Sequence, residues 1–323
     1  MMISKTYAFL TALLKDSFRV YLDLLKIMIP VGIGVRLLQQ TNAIEMMGNW
    51  LAPLALSLGL PSGAAMVWVN TLLTNMYGGM ITFHSLGLTG SMSIAQVTVL
   101  AQLMLVAHTF PIELSIARKA GIPLLTMFLW RFCLAIASAW TLYQLLTFFD
   151  ILQDSVLLPD AMVLPGSAED SWLQWTMNEI RRYGMVFLVV FALMAMMRLL
   201  KATGFIDVFS KSLRPVMKWL GIHESVIPIT VVGMTLGILY GGALMIEETR
   251  KHNLASKDVF YAFCLMGLCH SIIEDSLLMM TLGANGYIVF LYRPVCALLT
   301  LFIAVRLFNE LPQRLSKWIM QRK

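Results

Sequence analysis

His108-Thr109-Phe110-Pro111-Ile112-Glu113 sits inside one long apolar run, and His270-Ser271-Ile272-Ile273-Glu274-Asp275 sits inside another, at an offset of 162 (108 to 270). The same offset links Arg36-Leu37-Leu38, Thr41, Ile44, Glu45 and Pro53 to Arg198-Leu199-Leu200, Thr203, Ile206, Asp207 and Pro215. It links Leu58-Gly59-Leu60 to Leu220-Gly221-Ile222, and Trp130-Arg131 to Tyr292-Arg293. Tyr77-Gly78-Gly79 matches Tyr240-Gly241-Gly242 with one residue inserted. Rare polar residues of apolar segments recurring in one order indicate one fold unit made twice.

Each unit reads as a first span (18–38 and 183–200), an amphipathic helix (43–58 and 205–220), a glycine-interrupted span (62–82 and 226–247), a third span (94–115 and 258–281) and a fourth (121–149 and 286–308). The units are expected at 1–149 and 181–323, joined by an extracytoplasmic linker at 150–180. Hydrophobic residues make up 59 % of the chain and charged residues 13 %. A soluble domain carries about a quarter charged residues, so lipid must cover part of this surface. Spans of such length cross about 30 Å of hydrocarbon as helices. The first 26 residues are expected to form an amphipathic helix on the inner membrane surface, leading into the first span. The fold class is therefore all-α, a polytopic membrane protein with membrane lipids as its surroundings.

The net charge of +6 gathers at the ends of spans, where it sets topology; with no basic stripe among aromatics, nucleic acid is not an expected partner. No Lys or Arg occurs from Leu37 to Ala117 or from Phe132 to Ile180, while Arg118 and Lys119 follow the third span. In the second unit Lys201, Lys211, Arg214, Lys218, Arg250, Lys251 and Lys257 precede the third span, and the turn Gly283-Ala284-Asn285-Gly286 is uncharged. Three crossings and one re-entrant segment per unit satisfy these signs, with both termini cytoplasmic in the inner membrane. The Tyr-Gly-Gly segment is the one expected to break and return, because irregular backbone survives at membrane depth only inside protein or beside a polar cavity. The two units would then be inverted copies. Arg181 and Arg182 sit on the wrong side of this scheme and are expected to snorkel outward.

Ionisable groups in the spans are the site candidates: His108, Glu113, Arg131, His270, Glu274, Asp275 and Arg293. Histidine and carboxylate five apart do not share a helical stripe; His270 and Glu274, four apart, do. Arg131 and Arg293 are each expected to pair with an acid of the preceding span. Asn70, Asn75, Tyr77 and Tyr240 join the list because broken helices at the midplane form substrate sites. The four cysteines lack CxxC spacing, and HExxH, GxxxxGK[ST] and GxSxG are all missing from the sequence. Neither a catalytic residue, a cofactor nor a metal ion is expected.

The stretches Gly34–Gly79 and Gly204–Gly242, the His108–Glu113 and His270–Asp275 segments and the spans that follow resemble the nucleoside-recognition (Gate) domain family. That family includes spore maturation proteins A and B and domains of concentrative nucleoside transporters and ferrous iron transport protein B. The resemblance implies Gly/Pro-punctuated spans and, with the repeat, a transporter or permease that is not an enzyme. Its solute would be nucleoside-like or a small anion, moved by alternating access with protons or another ion as coupling partner. The alternative is a non-transporting membrane scaffold like the spore maturation proteins, docking through 43–58 and 205–220. A homo-oligomer is compatible with either.

Overall fold

The computed structural model describes residues 2–41, 53–156, 171–251 and 254–310, and the isolated positions 46, 50, 312, 319 and 320. Thirteen helices are defined among them. The first unit comprises α1 (Met2–Gln39), α2 (Ser62–Leu73), α3 (Met76–Ser85), α4 (Ile94–Val106), α5 (Phe110–Lys119) and α6 (Leu124–Phe148). The second comprises α7 (Trp172–Ala202), α8 (Phe205–Trp219), α9 (Ile227–Leu236), α10 (Ile238–Arg250), α11 (Ser256–Leu268), α12 (Ile272–Met280) and α13 (Gly286–Glu310). The protein is a multi-pass, all-α membrane protein. Five stretches are long and apolar enough to cross a bilayer: Ile94–Lys119 (α4 with α5), Leu124–Phe148, Trp172–Ala202, Ser256–Met280 (α11 with α12) and Gly286–Phe308.

Both glycine-interrupted segments fold back as helical hairpins, as sequence suggested. The turn, however, falls at Thr74-Asn75 and at Gly237, ahead of the Tyr-Gly-Gly triplets. The triplet glycines lie within α3 and α10 and let the returning helix approach the outgoing one. A Cβ on Gly79 would stand 1.9 Å from Thr71 Oγ1, and one on Gly241 would stand 2.5 Å from the Gly233 Cα. Asn70 ties the first hairpin together, its Nδ2 donating to Gly78 O and Thr82 Oγ1. Gly237 has φ +103° and ψ 157°, a region that only glycine adopts without strain.

The third spans occupy the centre: 72 % of the window in Ile94–Lys119 and in Ser256–Met280 is buried, against 22 % in Leu124–Phe148. On α13, Leu291, Val295, Leu299 and Ile303 recur every four residues and are all exposed, which marks a lipid-facing stripe. The units interlock. Trp130 Nε1 donates to Cys264 O, and Asn285 N donates to Thr98 Oγ1.

One expectation needs correction, and two elements gain definition. The N-terminal 26 residues, expected as an amphipathic helix leading into the first span, are continuous with that span in α1, a single helix of 38 residues. That helix is not among the five apolar stretches, because Asp16, Arg19, Asp23 and Lys26 interrupt it. The helix that carries the span expected at 183–200 starts earlier, at Trp172, where Ser171 and Gln174 form a capping box. Arg182 does not snorkel: it is buried and ion-paired with Glu179. The amphipathic helix expected at 205–220 is α8. Half of its counterpart at 43–58, and the linker residues 157–170, lie outside the described residues.

Candidate functional site

Each central span breaks at its histidine. Thr109 and Ser271 adopt left-handed backbone (φ 51° and 45°), unusual for residues with a Cβ, and the chain resumes as helix at Phe110 and Ile272. Pro111 is not the cause, since the second copy breaks identically with Ile273 in its place. The break frees carbonyls at the C-terminal ends of α4 and α11, and buried carbonyls need donors. Arg131 Nε donates to Val106 O (3.2 Å) and Arg293 Nε to Leu268 O (3.0 Å). Arg293 Nη2 also donates to His270 O, and Trp68 Nε1 to Ala107 O. The Thr109 N–H is taken by Thr71 O from the first hairpin. The arginines thus complement the negative ends of two half-helices.

The ion pair expected of each arginine forms in the first copy: Arg131 Nη1 binds Glu113 Oε2. In the second copy Arg293 is committed to carbonyls instead. The helical-spacing rule also fails here, because the left-handed residue lies between histidine and carboxylate. His108 Nε2 is 3.5 Å from Glu113 Oε1 although five residues separate them, and it is Glu113 and Asp275, not Glu274, that face the imidazoles.

The two histidines meet across the unit boundary, with Nε2 atoms 3.0 Å apart and ring centroids 4.7 Å apart. Each Nδ1 lies 2.8 Å from the carbonyl four residues back, Met104 O or Met266 O. Glu113 Oε1 lies 3.2 Å from His270 Nε2, and Asp275 Oδ2 lies 3.9 Å from His108 Nε2. Asp275 Oδ2 is buried and accepts no hydrogen bond among the described residues.

A cavity of about 660 Å³ opens over this cluster. It is lined by Asn75 and Tyr77 from the first hairpin, Gly237 and Tyr240 from the second, and His108, Glu113, His270, Glu274 and Asp275 from the central breaks. The N-terminal turns of α3, α5, α10 and α12 all contribute to its wall. Those of α5 and α12 carry the acids; those of α3 and α10 carry none. Of the residues singled out from sequence, Asn70, Arg131 and Arg293 lie outside this wall, holding the hairpin and the breaks in shape. Arg198 and Lys201 do line it, and sequence reasoning did not select them. Their place at the end of α7 is the signal that was missed.

Chains of known description bear on this geometry. The chain is 28 % identical over 284 residues to the "uncharacterized membrane protein YvoD" of Bacillus subtilis (strain 168), covering 86 % of this chain and 88 % of that protein. No solved structure gives a match. A domain-family model described as nucleoside recognition (Gate) matches residues 184–285. The matched segment takes in α9, α10 and the His270 break.

Proposed function

We propose that the protein moves a small solute across the membrane through the cavity between its two units, by alternating access. The observation that carries this reading is the convergence of four half-helix N-termini and both histidine/carboxylate clusters on one polar cavity. A scaffold has no use for a space of that size at the meeting of two broken helices, nor for a buried carboxylate oxygen left without a donor. Open half-helix ends at the boundary of a repeat are the usual construction of a transporter site. The acid-free N-termini of α3 and α10 suit a solute with an anionic or strongly accepting group. Tyr77 and Tyr240 offer aromatic faces and hydroxyls on the same wall, which fits a nucleoside-like solute, as does the Gate match. The resemblance to spore maturation proteins and to nucleoside and ferrous iron carriers supports the membrane-domain type and goes no further. Inverted copies, with both termini cytoplasmic in the inner membrane, would let one site face either side in turn.

The test is uptake of radiolabelled nucleosides and organic anions into proteoliposomes. Glu113→Ala and Asp275→Ala are expected to abolish uptake while the protein stays in the membrane at wild-type level. Undiminished uptake by either variant would remove the cluster from the mechanism.

A further inference from the structure

The four acceptor atoms at the floor of the cavity have no donor between them. A carbonyl oxygen can only accept, so the 2.8 Å contacts to Met104 O and Met266 O place a hydrogen on Nδ1 of both histidines. In each neutral ring Nε2 then carries a lone pair, and the two lone pairs face one another at 3.0 Å. Glu113 Oε1 approaches the same point, and so does Asp275 Oδ2, which is buried and unpartnered. The other oxygen of Glu113 is held by Arg131, so Oε1 is aimed inward. The nearest donor atoms of His108, His270 and Asp275 all lie within 4.8 Å of one another.

We infer that this cluster is a binding site for a late first-row divalent cation of the zinc class, clasped between the two units. The His108 and His270 Nε2 atoms would be its nitrogen ligands, and Asp275 Oδ2 and Glu113 Oε1 its oxygen ligands. A metal-bound histidine characteristically donates its other ring N–H to a carbonyl or carboxylate, which fixes its tautomer; both histidines do so here. Two zinc–nitrogen bonds of about 2.05 Å across 3.0 Å enclose roughly 95°, and widening the pair by ~0.3 Å reaches the tetrahedral angle. Two imidazoles and two carboxylates suit zinc, cobalt or nickel better than magnesium or calcium, which prefer all-oxygen shells. A single proton between the rings would relieve one contact and leave Asp275 Oδ2 without a donor. Arg131 and Arg293 stand behind the cluster, held by Glu113 and by the Val106, Leu268 and His270 carbonyls, while Arg198 and Lys201 are the cations of the cavity wall.

This deepens the transport reading of the same cavity. It rests on that reading for what the ion is used for, but not for the binding itself. The experiment is calorimetric titration of the full-length, chelator-treated protein in detergent with Zn²⁺, paired with visible absorption after Co²⁺ loading. One ion per chain is expected, with a Co²⁺ spectrum showing nitrogen ligation. His108→Gln and His270→Gln should each weaken Zn²⁺ binding by about 100-fold or more, and Asp275→Asn by at least about 10-fold. His223→Gln, at an exposed loop, should leave it unchanged. All variants are compared only where they elute as the wild type does on size exclusion. Absent binding by folded wild type, or binding as tight as wild type by both histidine variants, overturns the proposal. So does ¹⁵N NMR showing a doubly protonated imidazole in protein saturated with Zn²⁺. Solute uptake that persists while Zn²⁺ fails to bind would sink the metal site and leave the transport reading standing; binding without any uptake would do the reverse.

Discussion

Arg131 is fully buried, with one arm on a backbone carbonyl and another on Glu113. Removing one partner of a buried ion pair leaves an uncompensated charge, which costs about 3–5 kcal/mol, whereas replacing both with neutral groups costs far less. Arg131→Met is therefore expected to lower the thermal midpoint of the purified protein strongly, by an amount equivalent to about 3–5 kcal/mol. Glu113→Gln/Arg131→Met should recover most of that loss, as a double-mutant cycle read by thermal unfolding would reveal. If the double variant is as unstable as the single, the carbonyl contact to Val106 dominates. The sequence pointed to this pair, because a carboxylate and an arginine inside apolar spans need one another. It did not reveal that Arg293, the counterpart, would serve carbonyls. That use exists only because the helix breaks at Ser271, and neither composition nor periodicity announces a left-handed serine.

At the scale of elements, the helical hairpins decide where the cavity lies. Their tips put Asn75 and Gly237 at the wall, and their glycines allow the two arms to touch. Gly241 has backbone of Gly233 where its Cβ would go, while Gly184 on α7 has nothing within 4 Å. Gly241→Ala is thus expected to destabilise by about 1–3 kcal/mol through overpacking. Gly184→Ala should be neutral or stabilising by up to about 1 kcal/mol, from helix propensity. Thermal unfolding of the two variants side by side reads the difference, and equal midpoints would remove the close approach as a structural requirement. The existence of a returning segment was legible in the Tyr-Gly-Gly triplets, but its turn was not. The triplets mark where the arms cross, and the turns need only Asn75, which caps α3 by accepting from Gly78 N, and Gly237. The histidine breaks are hidden in the sequence because apolar residues continue through them and no proline is shared between the two copies to mark the site.

At the scale of the molecule, the repeat is legible twice over. The left-handed glycines Gly59 and Gly221, Gly121 and Gly283, and the left-handed Thr109 and Ser271, recur at the offset found in the sequence. The histidines were expected as equivalents; their contact across the boundary depends on how two units pack, which no single segment encodes. Whether the copies lie head to tail in the bilayer decides whether one cavity can face either side. Equivalent positions report this most directly: Arg118 ends the third span of the first unit, Met280 that of the second, and both are exposed. Arg118→Cys and Met280→Cys, each in a chain whose four native cysteines are replaced by alanine, would be labelled with a membrane-impermeant maleimide. Right-side-out and inverted vesicles would be compared. Inverted copies predict that position 118 labels only from the cytoplasmic face and position 280 only from the opposite face; labelling of both from the same face would contradict the account.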